Sequence, residues 1–186
     1  MFQGPIVSAE DARQRAKAVL PRLVFDYIDG ASGGGLGDEA NRNALRALRV
    51  VPRILRDVRE RNLSTTIFGK TYDLPFGIAP MGMCDLSWPG ADLWLAQLAA
   101  RENVPHGVST VASSSIETFW ETSQGQAWFQ LYFSGDGSGT HKLVDRAKAI
   151  GYETLVLTVD VPEVGRRPRE LRQGFKMPFR MSPRAF

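Results

Sequence analysis

The stretch TLVLTVDVPEVGRR at residues 154–167 decides the fold, because an apolar run with strand character ends directly in a hydroxyl, a carboxylate and two arginines. The upstream stretch AWFQLYF at 127–133 has the same layout, with an amide and a phenol two residues apart on one side of the backbone. We therefore expect two neighbouring strands to carry polar side chains at their carboxyl ends, namely Gln130, Tyr132, Thr158 and Asp160. In a parallel α/β barrel, that end of the strands holds the active site.

Strand-like and helix-like segments alternate along the second part of the chain. Strands are expected at 75–81, 106–110, 127–133 and 154–160, and helices at 91–102, 115–122 and 141–150. This alternation is typical of βαβ units with a parallel sheet. A doubly wound sheet stays open, but three strands that end in polar residues able to face one ligand favour half of an eight-stranded barrel. The predicted fold class is α/β: the N-terminal half of a TIM (β/α)8 barrel preceded by a helical cap.

The first part of the chain is expected to form that cap. Helices are expected after Ser8, after Pro21 and at 38–48, with a flexible glycine-rich surface loop at 30–37 and a short hairpin at 67–74. The predicted domains are therefore a helical cap with its hairpin at 1–74 and the first four βα units of a barrel at 75–186. The second domain is expected to end in the loop after the fourth strand, with the C-terminal half of the barrel absent.

The composition narrows the class of protein. With 186 residues, of which 43% are hydrophobic, the chain has enough apolar material for one sizeable core. Its net charge of +3 comes from basic residues interspersed with acids, so we expect no nucleic-acid partner. The basic tail at 166–184 is the exception, and both a solvated loop and a contact with a membrane surface or another anionic partner stay open.

The cellular compartment is indicated by the cysteine content and by the apolar runs. A single cysteine, Cys84, excludes an internal disulfide and a multi-cysteine metal site, and it fits a reducing compartment. The N-terminal segment lacks an apolar stretch of signal-peptide length, and no apolar run is long enough to span a bilayer. We expect a cytoplasmic protein, either free or peripheral to the inner face of a membrane.

Several conspicuous residues are better explained by structure than by chemistry. The glycine clusters at 33–37 and 135–139 match neither a dinucleotide-binding fingerprint nor a P-loop, and are expected to be mobile loops. His106 is placed at the start of a strand and His141 at a helix N-terminus, so neither is expected to be catalytic. Cys84 has no evident histidine partner and is expected to be a small filler near the site.

Asp160 and Tyr27 each allow a structural and a functional interpretation. A carboxylate at the end of an apolar strand should be desolvated unless it is paired. Asp160 therefore either forms a structural ion pair with Arg166 or Arg167, or orients and charges a catalytic base elsewhere. Tyr27, within FDYIDGA, is either a core tyrosine or a ligand contact.

Six segments along almost the whole chain carry a family resemblance. They are, in order, LPRLVFDYIDGA, NRNALRAL, FGIAPMGM, VSTVASSSIE, WFQLY and LTVDVPEVGRRPRELRQGF. In order and spacing these segments resemble the FMN-dependent L-2-hydroxy acid dehydrogenases and oxidases, the family of glycolate oxidase, mandelate dehydrogenase and the lactate dehydrogenases and oxidases. The resemblance covers only the N-terminal half of such proteins.

The resemblance implies oxidation of an L-2-hydroxy acid to the 2-oxo acid with FMN as the cofactor and no metal. It assigns the flavin contacts to Ala79, Pro80, Met81, Gly82, Ser109, Gln130 and Thr158. It assigns substrate binding to Tyr27, Tyr132, Arg167, Gly82 and Val111, with Tyr27 and Arg167 on the carboxylate and Tyr132 on the hydroxyl. The implied catalytic residues are Tyr132 and Asp160. The strand ends agree with this, because a flavin needs an apolar slot with a few polar groups.

Two departures from the family pattern bear on the size of the substrate pocket. Met81 and Gly82 stand where many relatives carry threonine and alanine, and Val111 stands where short-chain oxidases carry tryptophan. Glycine and valine leave more room, so a mandelate-like or other bulky substrate is expected. A glycine-rich insertion after Ala31 also replaces the family's acidic loop, which bears on the geometry of the cap near Tyr27.

The resemblance also implies what this chain does not carry. The family's catalytic histidine, its partner arginine, the lysine near the flavin and the phosphate-binding loops belong to the C-terminal half. We therefore expect a second fragment that supplies this half, a homo-oligomer, and oxygen, a quinone or a cytochrome as electron acceptor. Two alternatives stay open: another FMN-dependent barrel, such as a type 2 isopentenyl diphosphate isomerase, and a non-catalytic half-barrel binding module.

Overall fold

The computed structural model describes residues 4–133, 135–160 and 165–172. Its helices are α1 (Ala9–Val19), α2 (Arg22–Asp29), α3 (Leu36–Ala47), α4 (Ala91–Arg101), α5 (Ile116–Thr122), α6 (Ser138–Ile150) and α7 (Pro168–Arg172). Its strands are β1 (Thr65–Ile67), β2 (Lys70–Tyr72), β3 (Ile78–Met81), β4 (His106–Ser109), β5 (Ala127–Tyr132) and β6 (Leu155–Thr158). None of the helices along those ranges is long and apolar enough to cross a membrane.

By contact, the described residues group into two compact units. One unit contains the residues up to Ile54 together with 165–172, and the other contains Leu55 to Asp160. The first unit thus holds α1, α2, α3 and α7, and the second holds all six strands with α4, α5 and α6.

Strands β3 to β6 form one parallel sheet in the sequential order β3-β4-β5-β6. A doubly wound sheet reverses its strand order at a switch point, whereas a barrel adds each strand beside the previous one. The sequential order therefore confirms the predicted half barrel. The carboxyl ends of neighbouring strands are aligned, with Ser109 beside Gln130 and Tyr132 beside Thr158.

One face of this sheet forms the hydrophobic core with α4, α5 and α6. The buried members of the core are Ala96, Val108, Ile116, Phe119, Ala127, Phe129, Leu131, Ala147 and Tyr152. The Tyr152 hydroxyl donates to the Ile116 carbonyl at 2.7 Å, which satisfies the only polar atom that this tyrosine side chain buries. Because side chains alternate along a strand, Gln130 and Tyr132 lie on the opposite face, which is the inner face of a barrel.

The parallel strands are shorter than the sequence predicts, and this changes where Asp160 lies. Strand β3 begins only at Ile78, whose N–H bonds the Pro105 carbonyl at 2.8 Å. The preceding Gly77 approaches the same carbonyl so closely that a Cβ would lie 2.3 Å from its oxygen. Strand β6 ends at Thr158, so Asp160 lies two residues beyond it, in a bend.

Strands β1 and β2 form the predicted hairpin, which begins two residues earlier than expected. Its turn is Phe68-Gly69, where both residues have positive φ, 50° and 79°. Two left-handed residues make a type I′ turn, whose twist matches that of the flanking strands. The hairpin belongs to the same compact unit as the barrel strands, whereas the predicted boundary after residue 74 placed it in the cap. That boundary stays a prediction.

The helix starts in the other unit follow local capping chemistry. Ser8 is the N-cap of α1, as predicted, and its hydroxyl accepts the Asp11 N–H at 3.1 Å. Helix α3 begins at Leu36, two residues before the predicted start and inside the predicted glycine loop. Gly35 precedes it with φ 82°, a conformation that favours glycine.

Candidate active site

Gln130 is the centre of a hydrogen-bonded group at the carboxyl ends of three strands, and it is only 3% exposed. Its Oε1 atom accepts from the Ser109 hydroxyl at 3.0 Å and from the Thr110 N–H at 3.1 Å. Its Nε2 atom donates to the Thr158 hydroxyl at 2.8 Å. These partners fix the orientation of the amide. They also bring together Ser109, Gln130 and Thr158, the three polar residues that the resemblance assigns to the flavin.

The free donors of this group fit the polar edge of an isoalloxazine ring. A primary amide has two N–H donors, and within the described residues only one of those on Gln130 is engaged. The Thr158 hydroxyl accepts from Gln130 and so keeps its own proton to donate. Flavin ring carbonyls and nitrogens are tuned by hydrogen bonds from such groups. The residues at this edge of the sheet therefore fit FMN.

The end of β3 supplies the apolar part of the same edge. The Pro80 ring lies over Gly107 of the neighbouring strand, where a Cβ would come within 3.1 Å of two Pro80 ring carbons. A side chain at position 107 would therefore crowd the Pro80 ring. Ala79 and Met81 flank Pro80 and are exposed, as a surface that receives a ring would be. Gly82 follows directly.

Gly82 and Val111 are in direct contact, which changes how their small size is interpreted. A Cβ on Gly82 would lie 2.5 Å from Val111 Cγ2, and the Met83 N–H bonds the Val111 carbonyl at 2.9 Å. The space that glycine leaves is therefore filled by a valine methyl group and is not open to a ligand. Gly82 and Val111 therefore form one packed pair, and the expectation that together they leave room for a bulky substrate stays a prediction.

Asp92 holds the loop that carries Val111, and the sequence did not single it out. Its carboxylate is 3% exposed, and Oδ2 accepts the Ser113 N–H at 2.6 Å and the Ser114 N–H at 3.2 Å. The Asp85 N–H also bonds the Ser113 hydroxyl at 3.2 Å, so the loops after β3 and β4 are tied to each other. An acid in the first turn of a helix is common, so no sequence signal distinguishes Asp92 from an ordinary helix-dipole partner.

Cys84 and His106 have environments that agree with structural roles. Burial and the neighbouring Asp92 raise the pKa of the Cys84 thiol to about 12, so it is protonated at neutral pH and is a poor nucleophile. Burial lowers the pKa of His106 to about 4, so the ring is neutral. The His106 ring packs on Phe119 with 4.8 Å between centroids, at the end of β4 opposite to Ser109.

Of the two predicted catalytic residues, Tyr132 lies at the carboxyl end of its strand and Asp160 lies two residues beyond the end of its strand; both are exposed. Tyr132 is the last residue of β5, in register with Thr158. Asp160 is exposed, so the expected desolvation of its carboxylate is wrong for this structure. The reason is that β6 ends two residues earlier, which leaves Asp160 beyond the strand pairing.

Tyr27 and Arg167, the predicted pair for a substrate carboxylate, contact each other in the unit that contains α2 and α7. Arg167 Nη2 donates to the Tyr27 carbonyl at 2.7 Å and to the Gly30 carbonyl at 3.0 Å. The guanidinium carbon lies 5.1 Å from the centre of the Tyr27 ring. Arg167 thus caps the C-terminus of α2 and makes a cation–π contact with the Tyr27 ring. It forms its ion pair with Glu170, at 2.5 Å.

Residues 16–186 match the family described as FMN-dependent dehydrogenase. The chain is 40% identical to 4-hydroxymandelate oxidase of Amycolatopsis orientalis over 92% of its own length and 48% of that protein. It is 36% identical to (S)-mandelate dehydrogenase of Pseudomonas putida over 95% of its own length and 45% of that protein. A solved structure of mandelate oxidase superposes with a TM-score of 0.87 at 39% identity and covers 94% of the chain and 50% of the mandelate oxidase chain. The chain thus spans about half the length of these relatives.

Proposed function

Because this chain belongs to the family of FMN-dependent dehydrogenases, we propose that the complete protein oxidises an L-2-hydroxy acid to the 2-oxo acid. FMN is the cofactor of the family. The observation that carries the proposal is the hydrogen-bonded group of Ser109, Gln130 and Thr158, which offers free donors beside the apolar end of β3.

Each of the proposed site residues has a distinct role in this reaction. Bound FMN would supply the two-electron acceptor for the oxidation at the C2 atom of the hydroxy acid. Gln130 and Thr158 hold the polar edge of the ring, and Ser109 holds Gln130. Tyr132 hydrogen-bonds the substrate hydroxyl, since a phenol both donates and accepts.

Tyr27 and Arg167 bind the substrate carboxylate, because a phenol and a guanidinium can both donate hydrogen bonds to an anion. Asp160 stabilises the positive charge of a histidine base after it has taken the hydroxyl proton. That histidine is supplied by the second half of the barrel.

The second half of the barrel is the partner that we propose for this chain. Leu155 and Leu157 on the edge strand β6 are 48% and 50% exposed, although their register partners Phe129 and Leu131 are buried. An edge strand with exposed leucines is a surface that soluble proteins cover. We propose that the remaining four strands of a barrel pair with β6 and β3 and bring the histidine and the phosphate-binding loops.

Anaerobic addition of L-mandelate to the complete, yellow protein tests the proposed reaction. The flavin absorbance should bleach, because the hydroxy acid reduces the ring and no oxygen is present to reoxidise it. A flavin that no 2-hydroxy acid bleaches would contradict the proposal and favour another FMN-dependent barrel. A chain that is soluble, folded and colourless when purified by itself would instead favour a half-barrel binding module.

Mandelate is expected to be a better substrate than glycolate or lactate. Val111 is much smaller than the tryptophan that short-chain oxidases carry at this position. Each methyl group of difference in a pocket changes the binding free energy by about 1 kcal/mol. We therefore expect kcat/KM for mandelate to exceed that for glycolate by about tens-fold. Equal kcat/KM values for the two acids would refute this preference.

The contact between Gly82 and Val111 predicts that substitutions at these positions are coupled. Gly82→Ala places a methyl group where Val111 Cγ2 already lies, so the loop must move, at a cost of about 1–3 kcal/mol in stability. The double variant Gly82→Ala, Val111→Ala removes the clash and should recover most of that loss. Melting temperatures and kcat/KM for mandelate in a double-mutant cycle measure the coupling. Additive effects would show that the two side chains do not interact.

A further inference from the structure

Glu170, in α7, is a buried acid that lies beside Arg167. It is 8% exposed, and its Oε1 atom lies 2.5 Å from Arg167 Nε. Among the described residues this oxygen has no partner in hydrogen-bond geometry. Burial raises the pKa of Glu170 in spite of the attraction of Arg167. Burial of a charged carboxylate lowers the stability of the fold unless a neighbouring positive charge compensates for the lost hydration.

Arg167 is held on several sides at once. Nη2 donates to the Tyr27 and Gly30 carbonyls, and the guanidinium carbon lies over the Tyr27 ring. Glu170 is at the Nε edge. Within the part of the chain that the structure describes, Nη1 is the nitrogen that none of these contacts engages. A guanidinium is planar, so contacts at two of its nitrogens also fix the direction of the third.

We infer that Glu170 is a positioning residue that fixes the orientation of the Arg167 guanidinium for the substrate carboxylate. This inference rests on the proposed function, in which Arg167 binds that carboxylate. Without Glu170, Arg167 would keep its two carbonyl partners but could rotate about them. The predicted consequence is weaker binding of the carboxylate with little change in the reaction after binding.

The test is Glu170→Gln in the complete protein, because glutamine keeps the size of the side chain and removes its charge. KM for L-mandelate and Kd for the 2-oxo acid product, measured by calorimetry, should each rise about tenfold, since misorientation of a binding group costs affinity. The kcat value should change less than about twofold. Mandelamide, which lacks the carboxylate, should be oxidised equally well by the variant and the parent protein.

Two further variants complete the design. Glu117→Gln removes another acid that pairs with an arginine, Arg146, at 2.6 Å on the helical side of the barrel, and should leave KM unchanged. Glu170→Asp keeps the charge on a shorter side chain and should raise KM by about threefold. If the glutamine variant does not fold, the KM of this aspartate variant tests the positioning role.

The outcomes separate this inference from the proposed function. Parent-like KM and Kd values in folded Glu170 variants would overturn the positioning role. An equal loss with mandelamide would overturn it too, because the carboxylate would then play no part in the effect. A parent protein that no 2-hydroxy acid reduces would instead refute the proposed function itself.

Discussion

Asp160→Asn should lower the turnover of the complete protein by about 10²–10⁴-fold while FMN stays bound. Asparagine has nearly the same shape as aspartate but carries no charge, so it cannot stabilise a protonated histidine. Flavin binding should survive, because Asp160 lies two residues beyond Thr158 and takes no part in the hydrogen bonds of Gln130. Steady-state kcat with L-mandelate and the flavin content after desalting are the two measurements.

Asp145→Asn is the matched control for this prediction. Asp145 is an exposed aspartate on α6, away from the strand ends, so its replacement should leave both kcat and flavin content unchanged. A kcat for Asp160→Asn within about twofold of the parent value would remove Asp160 from the mechanism. Loss of flavin together with activity would instead assign Asp160 a role in the structure of the cofactor site.

Gln130→Leu should release FMN and lower stability. Leucine is of similar size but leaves the buried Ser109 hydroxyl and the Thr110 N–H without their acceptor. Each unsatisfied group costs about 1–3 kcal/mol. The same change removes the donors that we propose hold the ring edge, so we expect FMN affinity to fall about 10–100-fold. Flavin content after desalting and the melting temperature of the apoprotein measure the two effects separately.

Gln97→Leu serves as the control, because Gln97 is an exposed glutamine on α4. It should leave both flavin content and melting temperature as they are in the parent protein. A Gln130→Leu protein that retains FMN with the parent affinity would show that the hydrogen-bonded group at the strand ends does not hold the cofactor.

The half barrel and its polar strand ends were predictable because they depend on local patterns. Alternating strands and helices predict the parallel sheet, and the period of two along AWFQLYF places Gln130 and Tyr132 on one face. Gln130, Ser109 and Thr158 do meet, as a parallel sheet with aligned ends requires. The boundaries were less accurate, because the ends of strands depend on contacts such as that of Gly77 with Pro105.

The remaining features depend on contacts that no local pattern contains. Gly82 and Val111 are 29 positions apart in the sequence, so only the fold shows that a valine methyl occupies the space the glycine leaves. In the sequence, Asp92 and Glu170 look like ordinary acidic residues of helices. In the structure, Asp92 accepts a hydrogen bond from the loop after β4 and Glu170 contacts Arg167. The expected burial of Asp160 failed because strand β6 ends before it.

Denaturing mass spectrometry of an active, yellow preparation tests the central claim most directly. The claim is that this chain is the first half of an FMN-dependent barrel and works only with the second half, which brings the catalytic histidine. We predict either a polypeptide longer than these 186 residues or the 186-residue species together with a second one that supplies the remaining strands. Detection of the 186-residue species alone, with FMN bound and hydroxy acid oxidation intact, would contradict the account.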